Sequence, residues 1–290
     1  MADSLREVKT RIESTKNTAQ ITKAMYMVSQ SKVKRAERTY LNYQDFMENI
    51  RTIVQSVVAK TDADYTHPLM QRRDINKVGY LLITSDKGLA GAYNANVFKL
   101  LEADIKKSGI DPKDIYVSAV GRKGYTYIQK KKYNTLNDSP IFVRDDVMFS
   151  DIVPIAEKLV EAYAAKKIDR LVIIYNHFVN TLTQETTFIP LLPINDLDKE
   201  TNGVEYEFES GIGKTLDMLL PQYIEDTMFG VILDAKTCEH CSRMNSMRSA
   251  TDNAEDVISK LQLLYNRARQ NVITNELIDI IGGANAIGGK

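Results

Sequence analysis

Proline and glycine are missing from both ends of this 290-residue chain. All seven prolines fall between Pro68 and Pro221, and the first 67 residues hold no glycine. Beyond Pro221 only Gly230 interrupts the run before Gly282. Proline removes a helix donor and its ring clashes with the preceding turn, and glycine weakens a helix interior by about 1 kcal/mol. The two ends can therefore run as long helices, and the middle cannot. A helix of about 55 residues rises roughly 80 Å, far beyond the usual globular length. It needs a partner to bury its apolar stripe. Val257, Leu261, Leu264 and Ala268 follow the 4-3-4 spacing of a coiled-coil seam. Leu5, Val8 and Ile12 begin a similar stripe; Ile21, Ala24 and Val28 resume it, and Ile50, Val54 and Val57 carry its far end. The expectation is a long antiparallel coiled coil of residues 1–60 and 210–286, closed by the middle of the chain. The alternative is a helical bundle that buries both stripes.

The middle, residues 75–195, reads differently. Residues 77–84 (KVGYLLIT), 115–120 (IYVSAV) and 170–175 (RLVIIY) are short apolar runs of the kind found in buried parallel strands. Helical stretches lie between them at 94–107, 123–131 and 153–166. Strand, helix, strand, helix, strand predicts a three-layer α/β unit with a parallel sheet. Residues 178–193, rich in Thr, Phe and Ile, are read as an added edge strand.

Few motifs carry chemistry. Residues 211–215 (GIGKT) resemble a phosphate loop, but the full motif needs a glycine five places before Gly213, and Phe208 stands there. A loop and helix start is the better reading. Residues 85–91 follow the first strand, where α/β folds place ligand loops; the glycine spacing is not that of a dinucleotide fingerprint, and a tight strand-to-helix turn is expected. Cys238 and Cys241 resemble half of a zinc site, yet the only histidines are His67, His177 and His240, and there is no second cysteine pair. Two reduced thiols on one helix face are expected, with no metal and no cofactor. No serine–histidine–acid or paired-carboxylate arrangement stands out, which counts against an enzyme.

Composition excludes other classes. At 43% hydrophobic and 26% charged the chain is ordinary globular protein, and its formal net charge of zero points to no nucleic-acid partner. No apolar run reaches the roughly 18 residues of a membrane span. The N-terminal residues lack the apolar core of a signal peptide and are acidic for a transit peptide, so the expected place is the cytoplasm or the cytoplasmic face of a membrane. Against the zero balance, residues 14–36 contain Lys16, Lys23, Lys32, Lys34 and Arg35 and no acidic residue. This is either a solvated helix face or a basic girdle for an acidic partner.

The terminal segments resemble the gamma subunits of F-type ATP synthases. Asn17, Thr18, residues 21–25 (ITKAM), Met27 and Val28 match one family stretch. Residues 247–253 (MRSATDN), 263–270 (LLYNRARQ) and 273–286 (ITNELIDIIGGANA) match others, and residues 84–91 and 191–193 correspond in the middle. The resemblance covers the whole chain. It implies a non-catalytic rotor shaft, one copy per complex, turning inside a ring of three alpha and three beta subunits. The Rossmann-like middle, with an epsilon subunit, docks on the membrane c-ring, and proton or sodium flow drives the rotation. It further implies beta-subunit contacts at Lys16, Lys23, Lys32, Arg269 and Gln270, c-ring contacts at Tyr206 and Glu209, and a peripheral position on the cytoplasmic side of the cell membrane. The cysteine-containing insertion of the chloroplast branch is absent from the middle domain. A bacterial origin is favoured, with a mature mitochondrial chain as the alternative.

Overall fold

Residues Val78–Ile83 (β1) carry no charge, and all six are buried. A strand that is apolar on both sides needs cover on both faces, and this requirement arranges the middle of the chain. The computed structural model describes residues 5–60, 67–137, 139–194 and 211–288, with backbone alone at 285–288. Around β1 come Tyr93–Ser108 (α2), Ile115–Val120 (β2), Arg122–Lys131 (α3), Phe149–Ala164 (α4), Arg170–Phe178 (β3) and Gln184–Leu192 (β4). Leu5–Ala59 (α1) precedes them and Ile212–Gly288 (α5) follows.

The sheet order is β2-β1-β3-β4. β1 pairs in parallel with both β2 and β3, while β4 runs antiparallel to β3. The three strands expected from the strand-helix alternation are parallel, and the added edge strand, whose direction the sequence left open, makes the sheet mixed. The reason is local. The Asn180 carboxamide oxygen accepts from the amides of Leu182 and Thr183 at 2.9 and 2.8 Å, forming a tight turn. That turn extends β3 to Phe178, past the expected end at Tyr175, and folds β4 straight back on it.

Two layers cover the sheet. Val97 and Leu101 of α2 and Ile128 of α3 pack on one face, against Tyr80, Leu82, Val172 and Ile174. Ile152, Ile155 and Leu159 of α4 pack on the other, against Leu81, Ile83, Leu171 and Ile173. Val54 and Val57 of α1 and Leu216, Leu220 and Ile224 of α5 join this second layer. α4 starts four residues before the expected 153, because the Asp151 carboxylate accepts from the Met148 amide at 3.1 Å and caps the first turn.

Contacts group the chain into two compact units, Gln30–Arg243 and a second formed by Met1–Ser29 with Met244–Lys290. α1 and α5 each contribute to both.

Candidate functional site

An open α/β sheet usually binds ligands in the crevice beyond the carboxyl ends of its strands. Here that crevice is closed by the chain's own groups. Gly121 has φ +96, and a Cβ there would sit inside the Thr84 carbonyl. A Cβ on Gly124 would meet Thr84 Oγ1 and Ala119 at 2.7 Å. The Thr84 hydroxyl donates to the Val120 carbonyl at 2.8 Å and accepts from the Gly124 amide at 2.9 Å. The Asp86 carboxylate accepts from the Arg122 amide at 2.9 Å, so the α3 N-terminus already holds an anion. In the loop that follows β1, Ser85 donates to the Lys87 carbonyl and exchanges two hydrogen bonds with Asn94. Residues 85–91 form the expected strand-to-helix turn. Gly211 lies just before α5 with φ +81, and its carbonyl accepts from the Thr215 amide and hydroxyl, so GIGKT is a helix start.

The histidines and cysteines are dispersed in the same way. His67 faces Asp217 at 3.2 Å, His177 faces Asp234 at 2.6 Å and His240 faces Asp145 at 3.7 Å. Burial pushes His240 down to about 4, so it is neutral at physiological pH. Cys238 and Cys241 are both free and buried. Burial drives the Cys238 thiol far above its ordinary range and the Cys241 thiol up to about 12. Neither carries thiolate for redox chemistry at neutral pH. Among the described residues no group of three or more His, Cys, Asp or Glu side chains could hold a metal ion. No described helix is long and apolar enough to cross a membrane.

Chemistry thus gives way to surface. In the smaller unit, Val8 and Ile12 of α1 pack with Leu261 and Tyr265 of α5. Further along, the Thr251 hydroxyl lies 2.8 Å from the Thr22 hydroxyl and 2.9 Å from the Met247 carbonyl. As α1 numbers rise, their α5 partners fall, so the pair is antiparallel, as expected. The seam agrees with the expected one at Leu5, Val8, Ile12, Leu261 and Ala268 and departs from it elsewhere. Its α1 side runs Leu5, Val8, Ile12, Thr15, Ala19, Thr22, Tyr26, Ser29, all buried or half-buried. Its α5 side runs Met247, Thr251, Ala254, Ile258, Leu261, Tyr265, Ala268. Both keep a strict 3-4 spacing. Ile21, Ala24 and Val28 are exposed, Ile21 at 61%, and so are Val257 and Leu264. One residue of offset rotates a side chain by ~100°, so a stripe chosen for apolarity lands on the outer face. Threonine, alanine and serine fill the true seam because short side chains let two helices approach closely.

The outer surface is consequently unusual. α1 exposes Ile21, Met27 and Val28 beside Lys16 and Lys23. Every residue from 269 to 284 of α5 is exposed, including Val272, Ile273, Leu277, Ile278, Ile280 and Ile281. Arg269 and Gln270 open this tail. Lys16 lines a groove of about 500 Å³ with Glu13, Tyr265 and Asn266. Lys32 differs from the other basic residues: in the larger unit it donates to the Asp145 carboxylate at 2.5 Å. Burial alone would raise the Asp145 carboxyl, but the Lys32 hydrogen bond and the charges of Lys32 and Lys236 outweigh it and hold it below its ordinary value. Tyr206 and Glu209 lie outside the described residues. Sequence reasoning missed the polar seam. A heptad counted strictly onward from Leu5, Val8 and Ile12 would have found it.

With the helix pair, its exposed tail and the filled crevice described, comparison with known proteins identifies the chain. The sequence model of the ATP synthase family matches residues 4–287. The chain belongs to the gamma-subunit family of ATP synthases. It is a rotor-shaft subunit of that complex. Similar solved structures agree on the fold. A chain of the Euglena gracilis mitochondrial ATP synthase (OSCP/F1/c-ring, rotational state 3) is 19% identical with a TM-score of 0.68, over 98% of this chain and 95% of that one. A rotor chain of the same enzyme in rotational state 1 is 18% identical with a TM-score of 0.65, over 93% and 98%. A central stalk/c-ring chain from Tetrahymena thermophila mitochondrial ATP synthase is 23% identical with a TM-score of 0.59, over 79% and 99%.

Proposed function

We propose that this gamma-family chain is non-catalytic and transmits torque, one copy per complex, between a membrane c-ring and a head of three alpha and three beta subunits. The observation that carries this reading is the exposed tail at residues 269–284, with its large apolar side chains, on a helix whose neighbouring turns already have a satisfied seam. Exposed apolar surface of that extent marks a partner site, and a surrounding ring of subunits covers every side of a helix at once. The basic residues Lys16, Lys23 and Arg269, with Gln270, meet polar groups of the beta subunits. Lys32, already paired with Asp145, offers the weakest of these contacts. Residues 1–60 and 210–286 serve as the shaft. Residues 75–195 serve as the globular module that, with an epsilon subunit, sits on the c-ring, where Tyr206 and Glu209 make contact. Ion flow through that ring, of protons or sodium, turns the shaft, and the asymmetric helix pair shifts the free energies of the catalytic-site conformations. The chain is then peripheral, on the cytoplasmic side of the cell membrane. The titanic load of nucleotide chemistry rests on its partners, in keeping with the closed crevice at Thr84, Gly121 and Gly124.

The test is reconstitution with alpha and beta subunits. The isolated chain is expected to show no ATP hydrolysis and to enter the complex at one copy. Replacing Arg269 and Gln270 by alanine should lower turnover of the assembled complex several-fold while leaving the unfolding midpoint of the free chain unchanged, since exposed polar substitutions usually stay within about 0.5 kcal/mol. Saturable hydrolysis by the chain alone would overturn the proposal.

A further inference from the structure

Beside the sheet edge at β2 run residues 134–137 and 139–141, and two of their carbonyls accept from backbone amides of that edge. The Val117 amide donates to the Asn134 carbonyl at 2.7 Å, and the Gly121 amide donates to the Ile141 carbonyl at 2.8 Å. Between those two bonds the Asn137 side chain donates to the Ala119 carbonyl at 3.3 Å. Asn137 also lines a cavity of about 280 Å³. Its floor is the adjacent pair Leu81 and Ser118, its far wall is Ile155 and Leu159 of α4, and Leu136 and Ile141 close the near side. Pro154 and Lys158, one helical turn apart and both exposed, stand at its mouth with Ser139.

Ser118 gives this cavity its direction. It is 1% exposed, it lines the cavity floor, and its hydroxyl has no hydrogen-bond partner. Its neighbours on the same face of β2, Tyr116 and Val120, pack into the apolar core. A buried polar group without a partner is one of the rarer features of a folded protein. We propose that this cavity is a binding site for a small hydroxyaryl carboxylate. Each part of that ligand answers one feature of the site. The apolar walls take a single aromatic ring. An apolar cavity of about 150 Å³ holds a benzene ring, so the space here admits a ring with one short polar arm, while drug-sized ligands need about 300–1,000 Å³. The ring hydroxyl, both donor and acceptor, pairs with Ser118 Oγ at the floor. The carboxylate points outward to the Lys158 ammonium. Its lining includes no residue of the shaft helices and none of the residues named above for partner contacts.

The probe is 4-hydroxyphenylacetate, titrated by ligand-observed NMR against the full chain, beside phenylacetate, which lacks the hydroxyl, and 4-hydroxybenzyl alcohol, which lacks the carboxylate. Saturable binding of the first is expected, with phenylacetate weaker by about fivefold, the worth of one net hydrogen bond. Ser118→Ala should erase the difference between the two carboxylates. Lys158→Gln should weaken both carboxylates and leave the alcohol unchanged. Ser118→Leu, which fills the floor, should abolish binding of all three, and the milder Ser118→Ala keeps the test intact if that variant does not fold. The proposal is overturned if 4-hydroxyphenylacetate does not saturate below about 10 mM, or if Ser118→Ala discriminates the two carboxylates as the parent does. Equal binding of the two carboxylates to the parent, as when the floor holds only water, overturns it equally.

Discussion

α5 is held in two different ways along its length. In the larger unit, residues 231–241 are buried on every side, and Ile224, Met228 and Ile232 sit in a core that reaches the sheet. In the smaller unit the same helix shows one narrow seam of threonine, alanine and single large apolar residues, with the rest of its surface open. Burial of apolar area is the main stabilising term, at about 25 cal/mol per Å². The larger unit therefore stands on its own core, whereas the smaller unit is held by a seam alone and gains most from an external partner. One helix thus combines an anchor that resists change with a working surface that does not depend on its own packing.

Core truncation tests this contrast most severely. Ile232→Ala, at a fully buried site, should cost about 2–5 kcal/mol and lower the urea midpoint of the larger unit. Leu261→Ala, in the seam, should cost less, about 1–2 kcal/mol, because its surroundings are half open and can collapse. Equal costs at the two sites would break the comparison.

A smaller effect concerns the polar groups that tie α1 to α5 in the larger unit. The Tyr43 hydroxyl donates to Asp226 at 2.9 Å, while Asp226 Oδ2 is buried with no hydrogen-bond partner. Burial raises the Asp226 carboxyl above its ordinary value, and the Tyr43 hydrogen bond offsets this only in part. A carboxyl raised in the folded state favours folding below its unfolded pKa of about 4 and loses that contribution as pH rises through the folded value. Asp226→Asn keeps an acceptor for Tyr43 and removes the charge. Its stability relative to the parent should rise from pH 3 to pH 7, measured by urea unfolding across that range. A difference that ran the other way would mean that the carboxylate is stabilising.

The smallest effect is at Asp145. Its carboxyl is held low, so its contribution is present above the unfolded pKa of about 4 and is lost as pH falls through the lower folded value. The Lys32 pair is nearly half exposed on both sides, so Asp145→Asn should cost no more than about 0.5 kcal/mol at pH 7. The cost should vanish in high salt.

How much was legible in the sequence follows the same divide. β1, β2 and β3 are mostly apolar runs, and glycines stand near both ends of α2 and at the start of α3, so the middle of the fold could be read. The antiparallel course of β4 depended on a turn made by the Asn180 side chain, which leaves only a faint mark in composition. The seam was misread between Ile12 and Val33 because its positions are Thr15, Ala19, Thr22, Tyr26 and Ser29, while more apolar residues sit one place away. The pairing of Lys32 with Asp145 joins residues far apart in the chain, and no local pattern announces it. The exposure of Arg269 and Gln270 was compatible with the sequence, but only the structure shows that everything from 269 to 284 is exposed with them.

That exposed tail has a consequence for a cell making this protein. A newly made copy without partners displays Val272, Ile273, Leu277, Ile278, Ile280 and Ile281 to the solvent. Chaperones and proteases recognise such segments, and identical tails adhere to one another. Supply of the subunit is then policed by its own C-terminal helix: copies in excess of the complexes that take them up are the first to aggregate or be destroyed.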